Sequence, residues 1–96
     1  MTQLGALITG GARRIGAAIV GSLAREGYSV AIHCRHSVDE ADHLIRGIRN
    51  DGGIAEIVTG DLAEKEILQR LVEDAASKVG PLSLLVNSAS VFDTDS

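Results

Sequence analysis

The sequence of 96 residues predicts an α/β protein in which helices cover both faces of a parallel β-sheet. Short apolar runs alternate with amphipathic helical segments along the whole chain, and the connections between them are short. Hydrophobic residues make up 45% of the sequence, yet it holds one Tyr, one Phe and no Trp, so the core must be mainly aliphatic. Aliphatic strands of this kind are typical of parallel sheets buried on both sides.

Four strands are predicted from apolar runs that end in glycine or polar turn residues, at 4–9, 29–33, 54–59 and 82–86. Three helices are predicted between them, at 14–26, 38–50 and 62–78. Gly27 is expected to end the first helix, Ser37 with Glu40 to cap the second, and Asp61 with Glu64 to cap the third. This alternation requires right-handed crossovers and gives the N-terminal half of a doubly wound, Rossmann-like fold.

Composition and charge exclude several classes of protein. The net charge of −4 argues against a nucleic-acid binder, which would usually be basic. The single cysteine, Cys34, cannot form a disulfide within the chain. No apolar run reaches the roughly 18 residues of a membrane span, and the first residues lack the pattern of a signal peptide. We therefore expect a cytoplasmic protein with no membrane or nucleic-acid partner, and no metal-ligating cluster is predicted.

The stretch TGGARRIG (9–16) joins the first strand to the first helix. A turn without side chains lets the backbone approach a pyrophosphate, and the helix N-terminus then offers N–H groups and a positive dipole end. A P-loop is excluded because Ala17 and Ala18 stand where Lys and Ser/Thr are needed. The dinucleotide-binding fingerprint G-x-G-x-x-G is also excluded, because the glycines of this turn do not have its spacing. The alternative, a tight turn that binds nothing, is less favoured because the turn lies directly between strand and helix.

Three motifs in this order resemble the short-chain dehydrogenase/reductase family. TGGARRIG resembles its T-G-x-x-x-G-x-G turn, with Arg14 in place of the middle glycine, as in the pteridine reductase and dihydromonapterin reductase branch. GDLAE (60–64) resembles the D-[LV] that follows strand three and lies beside the adenine. NSAS (87–90) resembles the N-N-A-[GS] after strand four, with Ser88 replacing the second Asn.

The glycine turn and the resemblance together predict most of a cofactor site. The residues predicted in this way to bind the cofactor are Gly10, Arg13, Arg14, Ile15, Gly16, Asp61, Leu62, Asn87, Ser88 and Ala89.

The end of the second strand predicts which dinucleotide binds. AIHCRHS (31–37) contains no acidic residue to take a ribose hydroxyl, whereas Arg35 offers a fork suited to the 2′-phosphate, and His36 and Ser37 add donors. This pattern predicts NADP(H). Arg13 is expected to face the same phosphate, and Arg14 the pyrophosphate and the substrate. The alternative is that both arginines are solvated surface residues.

Three other polar side chains receive structural interpretations. His33 is interpreted as a polar residue at a strand end, His43 as a helix-surface residue, and Cys34 as a small strand residue that is not a nucleophile.

The resemblance implies hydride transfer from a nicotinamide, with a Tyr-x-x-x-Lys pair donating the proton. The only tyrosine here is Tyr28, and Ile32 stands four residues later, so no catalytic residue is predicted in this chain. We expect residues 1–96 to be the NADP-binding portion of a larger single-domain reductase. The intact enzyme is expected to act on a small molecule and to form a homo-oligomer.

The leading hypothesis is an NADPH-dependent reductase of a carbonyl or pterin compound. The alternative is a non-catalytic NADP-binding or interaction module that ends near residue 96. NSASVF (87–92) favours a pterin, because the similar stretch of pteridine reductases supplies a serine and a ring-stacking phenylalanine. Ser90, Phe92 and Arg14 are therefore the predicted substrate-binding residues. Packing of Phe92 under the following loop is the other interpretation.

Overall fold

A computed structural model of the chain describes residues 4–10, 14–36 and 38–88. Within them, strands and helices alternate. In chain order these are β1 (Gly5–Thr9), α1 (Arg14–Arg25), β2 (Ser29–Cys34), α2 (Val38–Asn50), β3 (Ala55–Thr59), α3 (Ile67–Val79) and β4 (Leu82–Asn87). The four strands are parallel and form one sheet in the order β3-β2-β1-β4. The predicted N-terminal half of a doubly wound fold is confirmed.

Helices cover both faces of the sheet, and the two central strands are buried throughout. On one face, Ile8, Val30 and Ile32 pack with residues of α1 and α2. On the other, Leu7 and Ala31 pack against α3. Neighbouring residues of one strand point to opposite faces, so a near-continuous apolar run supplies both cores. Full burial of each Val, Leu or Ile side chain contributes roughly 1.5–3 kcal/mol relative to exposure.

Most predicted boundaries hold within one residue, as is usual for fraying ends. The bounds of α2 are those predicted, and Gly27 follows the end of α1 in the left-handed region, with φ 100°. The predicted cap Ser37 lies outside the described residues.

The predicted start of the third helix at residue 62 is wrong, because α3 begins at Ile67. Asp61 forms a local turn instead of a helix cap: its carboxylate Oδ1 accepts the N–H of Ala63 at 2.9 Å, and its carbonyl accepts the N–H of Glu64. Such a side-chain turn competes with helix formation. Glu66 then adopts a left-handed conformation, with φ 63°, before the buried Ile67 opens the apolar stripe of α3.

Candidate functional site

The carboxyl ends of the four strands meet at one edge of the sheet, called here the carboxyl edge. Parallel α/β proteins bind their ligands outside this edge. Most of the predicted cofactor residues lie there or in the first turn of α1. Those within the described residues are Gly10, Ile15, Gly16, Arg35, His36, Asp61, Leu62, Asn87 and Ser88.

The other predicted site residues cannot be placed in the same way. The backbone of Arg14 begins α1, but its side chain is not described. Arg13, Ser37, Ala89, Ser90 and Phe92 lie outside the described residues, so their roles stay predictions.

The turn after β1 has the backbone conformation that its glycine permits. Gly10 has φ 66°, in the left-handed region that other residues rarely adopt. In the first turn of α1, Gly16 is buried while Ile15 is 74% exposed, and that turn contains no acidic residue. The N–H dipoles at this helix N-terminus would therefore attract an anion, and no carboxylate in the first turn would repel it.

Hydrogen bonds tie the end of β1 to the end of β4. The hydroxyl of Thr9 donates to Oδ1 of Asn87 at 2.7 Å. The backbone N–H of Ser88 donates to the carbonyl of Thr9 at 3.2 Å, and the Ser88 hydroxyl donates to the same oxygen. Ser88, the departure from the family pattern, thus serves as a donor to the backbone of β1.

Arg35 and Asp61 form an ion pair across the ends of β2 and β3. The distance between Nη2 of Arg35 and Oδ2 of Asp61 is 3.4 Å, and the side chains are 43% and 34% exposed. A pair this exposed contributes at most about 1 kcal/mol to stability. Its main consequence is orientation, because it holds a guanidinium at the carboxyl edge. The residues next to this pair in sequence, His36 and Leu62, are exposed.

His33 is a site residue that sequence reasoning missed. Its side chain is 3% exposed in β2. Nδ1 accepts the N–H of Gly10 at 3.0 Å, and Nε2 lies 2.8 Å from the carbonyl oxygen of Gly60. The available signal was a histidine between Ile32 and Cys34, next to the end of an otherwise apolar strand. A buried polar side chain at that place needs partners.

The remaining structural interpretations agree with the structure. His43 is exposed on α2, and Tyr28 packs half-buried against the core beneath α1 and α2. Cys34 is buried at the end of β2, and burial raises the pKa of its thiol. Because only the thiolate is a strong nucleophile, Cys34 is suited to packing and not to catalysis.

Cys34 should react slowly with thiol reagents in the folded protein. A raised pKa lowers the thiolate fraction at every pH below it, and burial restricts access. At neutral pH we expect labelling at least about tenfold slower than in denaturant. Peptide mass spectrometry would follow labelling of this one residue over time. Equal rates in the folded and the denatured protein would contradict this assignment.

Two findings concern other classes of site. No helix of the described residues is long and apolar enough to cross a membrane. Across 4–10, 14–36 and 38–88, no three His, Cys, Asp or Glu side chains are grouped so as to hold a metal ion.

The strand order and the alternating helices together define a doubly wound, Rossmann-like α/β protein. The chain matches the short chain dehydrogenase family over residues 5–96 and belongs to that family.

Three similar proteins show how far the similarity of sequence and structure extends. The 3-oxoacyl-acyl-carrier-protein reductase FabG of Staphylococcus epidermidis is 31% identical over 86 residues, which cover 90% of this chain and 35% of the relative. The structure of FolM alternative dihydrofolate reductase 1 from Brucella canis, complexed with NADP, has a TM-score of 0.87 and 47% identity, covering 93% of this chain and 36% of that one. A blue fluorescent protein from a metagenomic library, in complex with NADPH, has a TM-score of 0.86 and 34% identity, covering 93% and 37%.

The chain spans little more than a third of the length of these relatives. The similarity to a FolM-type protein supports the predicted resemblance to the pterin-related branch of the family.

Proposed function

We propose that residues 1–96 form the NADP(H)-binding part of a larger oxidoreductase that reduces a carbonyl or pterin compound. The observation that carries this proposal is the exposed guanidinium of Arg35 at the carboxyl end of β2, with no acidic residue between β2 and α2. Two similar structures bind NADP or NADPH, which supports the same cofactor here.

The described residues fit such a cofactor by their chemistry. Gly10 lets the backbone of the turn come close to a pyrophosphate, and the N-terminus of α1 suits the same group because its first N–H groups have no partner within the helix. Arg35, held by Asp61, suits a 2′-phosphate, because a guanidinium binds phosphate through two parallel hydrogen bonds. The exposed Leu62 offers an apolar surface for an adenine ring. When bound, a nicotinamide cofactor supplies the hydride, while these residues bind and orient it.

The reductase is favoured over the non-catalytic module, since FabG and FolM are named for reductase activity. Among substrates, the 47% identity to a FolM-type dihydrofolate reductase favours a pterin. Binding of that pterin by Arg14, Ser90 and Phe92 stays a prediction. The homo-oligomeric state and the cytoplasmic location also stay predictions.

Arg35→Gln should test the choice of cofactor. We expect the Kd for NADPH to rise about tenfold, the lower range for hydrogen bonds to a charged group because this side chain is well exposed. The Kd for NADH should change little. Glutamine is preferable to aspartate, which would place a second carboxylate beside Asp61. Fluorescence titration of the protein expressed from its complete gene gives both constants.

Arg46→Gln is the matched control. Arg46 also pairs with an aspartate, Asp42 at 3.0 Å, but it lies on the exposed surface of α2. Its loss removes a comparable surface ion pair and should leave both constants unchanged. Equal affinities for NADPH and NADH in the unmodified protein, or equal effects of the two variants, would contradict the proposed cofactor preference.

A further inference from the structure

His33 joins two turns that lie on either side of its own strand. β2 lies between β1 and β3 in the sheet. The imidazole reaches the N–H of Gly10 after β1 and the carbonyl of Gly60 after β3, with nitrogen–nitrogen and nitrogen–oxygen distances of 3.0 and 2.8 Å. One buried ring therefore bridges the ends of three adjacent strands.

The two partners determine which tautomer the ring adopts. A backbone N–H can only donate, so Nδ1 must be unprotonated to accept from Gly10. A carbonyl oxygen can only accept, so Nε2 must carry the hydrogen that reaches Gly60. Only the neutral imidazole protonated at Nε2 satisfies both contacts.

An apolar side chain could fill this space but could not replace these bonds. The rest of β2 is aliphatic apart from Ser29 at its start and Cys34 at its end, and Ile32 packs fully buried beside His33. Packing alone would therefore favour another aliphatic residue. The hydrogen bonds of the ring account for a histidine at this position, since a buried backbone group without a partner is costly.

The bridged turns are the two that bracket the proposed cofactor site. Gly10 belongs to the turn suited to the pyrophosphate. Gly60 immediately precedes Asp61, whose carboxylate orients Arg35. The separation of these turns sets the distance between the group that binds the pyrophosphate and the groups that face the adenosine end.

We propose that His33 is a positioning residue for cofactor binding, whose imidazole holds the Gly10 turn and the Gly60–Asp61 turn in the geometry that the dinucleotide requires. This inference rests on the proposed function. Holding the turns in place before binding lowers the ordering cost of association. Loss of the bridge should thus weaken cofactor binding while leaving the hydride-transfer step unaffected.

Three substitutions separate the two bonds. In His33→Asn the amide occupies the position of Nδ1, so it can accept from Gly10 but does not reach Gly60. In His33→Gln the amide reaches the position of Nε2, so it can donate to Gly60 but leaves Gly10. His33→Phe keeps a ring and removes both bonds. His43→Asn, on the exposed surface of α2, is the matched control.

In the protein expressed from its complete gene, the loss of both bonds in His33→Phe should raise the KM and Kd for NADPH by about tenfold, because the turns would then have to be ordered during binding. His33→Asn and His33→Gln should each bind NADPH more tightly than His33→Phe, because each keeps one of the two bonds. In all three His33 variants, kcat at saturating NADPH should stay near its original value. The control His43→Asn should match the unmodified protein in every constant. Wild-type affinity in all three His33 variants, or a fall in kcat without a change in KM, would overturn the proposal.

A measurement without cofactor makes the test independent of whether any variant folds. Nitrogen-15 NMR of the unmodified protein should show His33 protonated at Nε2 alone, with slow exchange of the Gly10 amide. A ring that averages between tautomers would overturn the bridge. If the unmodified protein binds no NADPH while His33 shows the expected tautomer, the proposed function fails and the bridge remains.

Discussion

A polypeptide limited to residues 1–96 is expected to show no reductase turnover. A positioned proton donor contributes about 10²–10⁴ to rate, and the chain's only tyrosine cannot supply one at the carboxyl edge. Tyr28 precedes β2, at the opposite end of that strand from Arg35, and packs half-buried against the core beneath α1 and α2. The residue four positions on is the buried Ile32 and not a lysine.

The measurement is the loss of NADPH absorbance with a carbonyl or dihydropterin substrate. The 96-residue chain is compared with the protein expressed from the complete gene, which should be active. Tyr28→Phe in the complete protein is the control and should leave turnover unchanged, because that hydroxyl has no catalytic role. Turnover by the purified 96-residue chain would contradict the proposal, and a gene that ends after Ser96 would favour the non-catalytic module.

The fold could be predicted from sequence because its signals are local. Apolar runs, helical stripes and glycines such as Gly27 each depend on residues close together in the chain. The start of α3 was predicted wrongly where two local signals disagreed. Asp61 with Glu64 indicated a cap, whereas the apolar stripe begins only at Ile67. The stripe was the better guide, because burial of Ile67 stabilises the helix more than a solvent-exposed cap would.

Site residues could be predicted from sequence where they belong to a short motif that resembles a family motif. Contacts between residues far apart in the chain could not be predicted. Thr9 and Asn87 lie 78 positions apart, each within a stretch that was assigned to the cofactor site by its resemblance to a family motif, but the hydrogen bond between them was not predicted. The pairing of Arg35 with Asp61 and the two bonds of His33 have no such motif. They depend on which strand lies beside which, and on the depth at which a side chain is buried. Neither property follows from the spacing of residues along one strand.

The second large effect is expected at Gly10. Its φ of 66° lies in the left-handed region, where a residue with a Cβ costs about 1–2 kcal/mol. In Gly10→Ala the turn can relieve this strain only by moving. That movement would displace the N–H that bonds His33 and the backbone that faces the pyrophosphate. We expect the Kd for NADPH to rise by up to about a hundredfold, or ~2.7 kcal/mol.

Gly52→Ala separates loss of the site from loss of stability. Gly52 also has a positive φ, 89°, and space for a Cβ, but it lies between α2 and β3 at the opposite edge of the sheet. Both variants should lower the free energy of unfolding by similar amounts, as measured by denaturant titration. Only Gly10→Ala should weaken NADPH binding, because only that turn belongs to the carboxyl edge. If both variants bind NADPH equally well, the Gly10 turn does not contact the cofactor, and the pyrophosphate must bind elsewhere.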